Sequence, residues 1–108
     1  MRLKNQDKAA LKKFKIEVKK IFPEAKFILF GSKAIGEDNE FSDIDVMVLL
    51  KTRVNSDIEK KIFEIGFEVG LEFEVVFGVV VEEAKNLSSP LAIFMPFYQN
   101  VARQGIAI

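Results

Sequence analysis

Two aspartates, Asp43 and Asp45, open an apolar run that continues through Val46-Met47-Val48-Leu49-Leu50. A run this short, apolar and partly β-branched reads as a buried strand. Side chains alternate along a strand, so Asp43 and Asp45 point one way, Ile44 and Val46 the other. Two neighbouring carboxylates at the start of a buried strand repel each other and lose hydration. A divalent cation removes both penalties, and hard cations prefer oxygen ligands. Upstream, a second apolar run, Phe27-Ile28-Leu29-Phe30, stops abruptly at Gly31-Ser32. Gly31 lets the backbone approach a ligand closely. Ser32 supplies a hydroxyl and sits where a short helix can begin, with free amides aimed at an anion. Metal ligands on one strand and an anion cradle on the preceding turn together suit a metal-bound triphosphate.

This arrangement resembles the nucleotidyltransferase superfamily of DNA polymerase β, and within it the minimal nucleotidyltransferases. The family pattern is Gly-Ser, a spacer, Asp-x-Asp, and a third acid on a later strand flanked by apolar residues. Gly31-Ser32, the spacer from Lys33 to Ser42, and Asp43-Ile44-Asp45 match its first two parts, and Leu71-Glu72-Phe73-Glu74-Val75-Val76 offers the third. The segment Asn100-Val101-Ala102-Arg103-Gln104-Gly105-Ile106 also looks like the family's ending.

The resemblance implies a domain that binds Mg-ATP and transfers AMP to a hydroxyl, releasing pyrophosphate. Asp43, Asp45 and Glu74 are then the catalytic and metal-ligating residues, holding two Mg2+ ions about 3.5–4 Å apart across the attacking and leaving oxygens. Such transfer asks the protein mainly for positioning and charge neutralisation. Gly31 and Ser32 would contact the β- and γ-phosphates, with Lys33 neutralising phosphate charge. The acceptor hydroxyl is expected on a partner protein. A domain this small has no second lobe for an acceptor pocket, and its relatives often pair with a helical HEPN protein in a toxin–antitoxin system.

Glu74 is preferred to Glu72 as the third acid. If the strand begins at Leu71, Glu72 lies near its fraying end and Glu74 nearer its centre. Three departures from the family pattern motivate a different class of reading, a non-catalytic nucleotide-binding antitoxin or partner-binding module. The third acid is Glu where relatives more often have Asp. Lys33 stands where many have Arg, and it lacks the bidentate fork. Ile35 replaces a second basic residue.

Composition narrows the chemistry further. The 108 residues contain neither cysteine nor histidine, which removes disulfides, thiolate zinc sites and histidine-based acid–base catalysis. Hydrophobic residues at 49% and charged residues at 30% fit a globular chain rather than a disordered one. No apolar run approaches a membrane span and no signal-peptide pattern opens the chain, so the expected compartment is the cytoplasm. Net charge is zero, yet residues 1–20 carry eight Lys or Arg against Asp7 and Glu17. That face could meet nucleic acid or an acidic partner. Nucleic acid ranks lowest, because the lysines lack interleaved aromatics on the same face. The nucleotide base, the acceptor and self-association stay open.

The elements that must position these residues follow from periodicity. Leu11, Phe14, Val18 and Ile21 make one face of a helix from Asp7 to Phe22, with Lys8, Lys12, Lys15 and Lys19 on another. Pro23 stops it. Strands are expected at Lys26–Phe30 and Asp43–Leu50, with one or two helical turns at Ser32–Ile35. A helix should begin at Ser56-Asp57-Ile58-Glu59, which has capping-box spacing. It carries Ile58, Ile62, Ile65 and Val69 inward and ends at Gly70. A strand is expected from Leu71 to Val81 and a helical turn from Glu82 to Asn86. Ser89-Pro90 should start a further short helix, and Pro96–Gln104 a second, before the apolar tail Ile106–Ile108. This order predicts one α/β (α+β) domain over residues 1–108, a small mixed sheet of about three to four strands packed with helices.

Overall fold

A computed structural model describes residues 3–31, 43–87, 99, 101, 103 and 105–108. Helix α1 spans Asn5–Ile21, strand β1 Lys26–Phe30 and strand β2 Ile44–Leu50. Helix α2 spans Ser56–Phe73, followed by strand β3 at Phe77–Glu83, a single turn α3 at Ala84–Leu87 and strand β4 at Ile106–Ala107. Gln99, Val101 and Arg103 are helical. Ser32, Lys33, the expected turns at Ser32–Ile35 and most of the expected helices after Ser89 lie outside the described residues.

The four strands form one mixed sheet in the order β3-β2-β1-β4. β1 and β2 are antiparallel, with Phe30 opposite Asp45. β2 and β3 are parallel, with Ile44 opposite Phe77 and Asp45 opposite Gly78. The parallel pair needs a crossover, and α2 supplies it. β4 adds antiparallel to β1, Ile28 facing Ala107. The apolar tail of the sequence is therefore an edge strand.

Alternation along the strands separates two cores. One side of the sheet carries Phe27, Leu29, Ile44, Val46, Val48 and Leu50, packed under α1 and α2. Phe14 of α1 is fully buried there, edge-on to Phe27 at 6.1 Å between ring centroids and stacked on Phe77 at 5.0 Å. The other side carries Met47 and Leu49 with Val101, Ile28, Phe30 and Val80 around them. Asp45 belongs to this second side by its position in β2.

α1 begins slightly earlier than the periodicity predicts. Asp7 is buried in its first turn, its carboxylate accepting a bond from the Lys4 backbone N–H at 3.3 Å. α2 is capped by Asn55 rather than Ser56, the Asn55 side chain accepting from the Ile58 N–H at 2.9 Å. Its C-terminal end differs more. The helix runs through Gly70 to Phe73 and ends at Glu74 in a left-handed conformation, φ 56°. Leu71-Glu72-Phe73-Glu74 alternates like a strand, but Phe73 also extends the helical spacing of Ile62, Ile65 and Val69 and packs against the core. The helical period prevails. Gly70 is where the chain folds back on its helix, because the Val75 N–H bonds the Gly70 carbonyl at 3.0 Å. A Cβ at Gly70 would meet the Val75 carbonyl oxygen at 2.6 Å.

Candidate functional site

Asp45 lies in the second position of β2, one strand in from the sheet edge, and is half-buried. Its carboxylate sits between two glycines contributed by the strands on either side. A Cβ on Gly31, just past the end of β1, would overlap Asp45 Oδ2, and a Cβ on Gly78 of β3 would lie 2.5 Å from Oδ1. Gly31 has φ +76°, a left-handed conformation that costs glycine little. Asp43 precedes β2 and is exposed. Burial, and secondarily the charge of Asp43, push the Asp45 carboxyl above the usual carboxylate range. The site therefore presents anionic oxygen where the unliganded protein disfavours it. A cation brought alongside a polyphosphate would offset that cost. Mg2+ is commonly held by one or two carboxylates plus substrate phosphates, and this donor set fits such an ion better than an all-protein cage.

The third acid is not where the sequence suggested. Glu72 is an exposed residue of α2, and Glu74 is the exposed C-cap of that helix rather than a strand residue. Glu74 lines a groove with Phe77 and Val79, on the side of the sheet that carries α2. Asp45 is on the other side. The assignment of Glu74, and of Glu72 as its substitute, to a strand beside the aspartates is thus corrected. Both belong to a helix end that the helical period extended past Gly70. Among the described residues no three His, Cys, Asp or Glu side chains cluster closely enough to hold a metal ion.

The position that does face Asp45 from the neighbouring strand is Gly78, and sequence reading missed it. The available signal was Phe77-Gly78-Val79, a non-apolar position flanked by apolar ones in the strand that pairs with β2. Glu82 is on Gly78's face of β3 but lies opposite Leu49, four residues up from the Asp45 level. That is about 13 Å along the strand. Its carboxylate is engaged locally, accepting from the Asn86 side chain at 2.7 Å.

Residues 11–101 match the model of the nucleotidyltransferase domain family, a span that includes Gly31, Asp43, Asp45 and Gly78. The chain belongs to the nucleotidyltransferase domain family. A relative from Methanocaldococcus jannaschii, named as a protein adenylyltransferase, is 30% identical over 73 residues, covering 66% of this chain and 74% of the relative. Among solved structures, a toxin–antitoxin complex with AMP-PNP superposes with a TM-score of 0.60 at 21% identity, covering 96% of this chain and 72% of that one. A variant of the toxin–antitoxin MntA-HpeT, with two aspartates two positions apart changed to glutamate, gives 0.59 at 20% identity, again over 96% and 72%. At these identities the two structures establish the nucleotidyltransferase fold for this chain. No helix among the described residues is long and apolar enough to cross a membrane.

Proposed function

We propose that this nucleotidyltransferase domain binds Mg-ATP between Gly31-Ser32 and the Asp43–Asp45 pair and transfers AMP to a hydroxyl on a partner protein. In that reaction the acceptor oxygen bonds the α-phosphorus, the α–β bridging bond breaks, and pyrophosphate leaves with the electron pair. The hydroxyl proton passes to water or to a group on the acceptor. The observation that carries the reading is Asp45. It is a half-buried carboxylate of raised proton affinity, near Asp43 and flanked by the open backbone of Gly31. When bound, Mg2+ supplies charge neutralisation at the phosphates. Asp43 and Asp45 would hold it, and Lys33 would add a second positive charge. Relatives that are named protein adenylyltransferase, or were solved as toxin–antitoxin complexes, support a protein acceptor and an antitoxin role. A helical HEPN toxin remains the expected partner and the cytoplasm the expected compartment.

The test is direct. Incubate the protein with α-labelled ATP, Mg2+ and the product of the neighbouring gene. Label on that product with pyrophosphate release supports the reading; no label on it and no pyrophosphate release contradicts transfer.

Gly78 favours a second reading, in which the domain binds nucleotide and masks its partner without transferring AMP. A carboxylate contributed by β3 at this position would adjoin Asp45, and the chain has none there. Neutralisation of the partner by an Asp43→Asn, Asp45→Asn double variant separates the two. Retained neutralisation supports masking, and lost neutralisation supports transfer.

A further inference from the structure

Besides Ile16 and Ile21 on α1, the large exposed apolar side chains among the described residues gather along α2 and its link to β3, on the side of the sheet opposite Asp45. Phe63, Phe67 and Leu71 succeed one another at four-residue spacing along α2 and are 44%, 68% and 67% exposed. Val76, in the link to β3, is 63% exposed. Large apolar side chains this exposed and this contiguous mark an interaction surface more often than chance scatter. They wall a groove of about 700 Å3 between α2 and β3. A second depression of about 550 Å3 continues along α2 on the far side of Phe63 and Phe67.

The rim has a sign. Glu59, Glu64, Glu68 and Glu74 are the acidic described residues lining the two depressions, against Lys60 alone. None of these carboxylates is ion-paired to a described cation. An apolar stripe with a one-signed rim selects an apolar partner of the opposite sign. The four-residue spacing suits a helix laid along it, which anchors through residues at i, i+3 or i+4, and i+7.

A second copy of this chain fits poorly. A symmetric contact would press one acidic rim against another. The chain's own basic face on α1, around Lys8, Lys12 and Lys15, would dock only head to tail, and such contacts leave an open chain of subunits unless the rotation closes. We propose that the groove between α2 and β3 is a docking site for an amphipathic helix of a different protein, with an apolar stripe flanked by lysine or arginine. The proposal is independent of the nucleotide reading, since the groove and Asp45 lie on opposite sides of the sheet.

The probes are two labelled helical peptides with the same leucine stripe, one flanked by lysines and one by glutamates. Fluorescence anisotropy with the full chain should show the basic peptide binding at least about tenfold more tightly, the size of effect one well-placed interfacial charge or anchor has. Phe67→Ser with Leu71→Ser should weaken it at least about tenfold with no fall in melting temperature, because both side chains are exposed. Glu64→Lys with Glu68→Lys should invert the preference between the peptides. Equal binding of both peptides, binding of neither, or binding indifferent to Phe67 and Leu71 would overturn the proposal. So would a dimer of the wild-type chain that Phe67→Ser with Leu71→Ser dissolves, which would make a second copy the occupant.

Discussion

Gly78 stands directly across from Asp45 in the parallel β2–β3 pairing, and a Cβ placed on it would lie 2.5 Å from Asp45 Oδ1. The residue type at position 78 thus decides what adjoins the one half-buried carboxylate of the candidate site. With glycine there, Asp45 has no third carboxylate beside it among the described residues.

Replacing Gly78 with Asp is expected to raise AMP transfer by at least about tenfold, towards the 10²–10⁴-fold range of a positioned acid or base. The overlap at Oδ1 involves the far end of a side chain, so Asp45 can turn aside to admit the new residue. Gly78→Ala, which adds bulk without charge, should leave transfer at or below the wild-type level. Single-turnover rates with α-labelled ATP make the comparison. Transfer by Gly78→Asp no faster than wild type, with Mg-ATP binding intact, would show that the missing carboxylate does not limit the reaction.

Asp45→Asn should make the metal-free protein at least as stable as wild type at pH 7. The sign follows from the raised proton affinity of Asp45. A carboxyl whose folded-state pKa exceeds its unfolded value, 3.8, binds its proton more tightly in the native protein. Stability therefore falls as pH rises from the unfolded value through the folded one, and the cost is fully present above both. The advantage of Asn should shrink as pH drops towards the ordinary carboxylate range. Thermal melts across pH in EDTA measure it. A variant less stable than wild type at pH 7 would mean that ionised Asp45 has a stabilising partner.

Glu72→Gln and Glu74→Gln should leave Mg-dependent nucleotide binding unchanged, because both residues belong to the exposed end of α2. Glu74→Gly should stabilise the fold by about 0.5–1 kcal/mol, by relieving a non-glycine residue at φ 56°. Nucleotide titrations check the first and chemical denaturation the second. Loss of binding in Glu74→Gln would return that carboxylate to the site.

The contrast between Asp45 and Glu74 shows what the sequence could carry. α1, β1 and β2 were legible because their apolar periods are unambiguous and Pro23 and Gly31 mark their ends. The alternation that sends Asp45 away from Ile44 and Val46 follows from the strand period alone. The segment 71–76 fits both periods, since Phe73 serves a strand or a helix equally well, and only packing against the core decides for the helix. Gly70 looks like a terminator but allows the chain to turn back onto α2, a tertiary contact that composition does not reveal. Gly78 stands out only as a non-apolar position between Phe77 and Val79, and its importance lies in register. One residue of slip in the β2–β3 pairing would set Phe77 or Val79 against Asp45 instead. The pairing of Ile106–Ala107 with β1 is equally non-local, and two residues carry no period to read.

If Gly31, Asp43 and Asp45 hold a nucleotide through a divalent cation, calorimetric titration with AMP-PNP will read the metal dependence. Wild-type protein should bind in Mg2+ and lose at least about tenfold in affinity in EDTA, equivalent to about 1.4 kcal/mol. Asp43→Asn with Asp45→Asn should bind in Mg2+ no better than wild type does in EDTA, while melting at or above the wild-type temperature. Equal affinity in Mg2+ and EDTA, or a double variant that binds as tightly as wild type, would rule out a cation held by these aspartates.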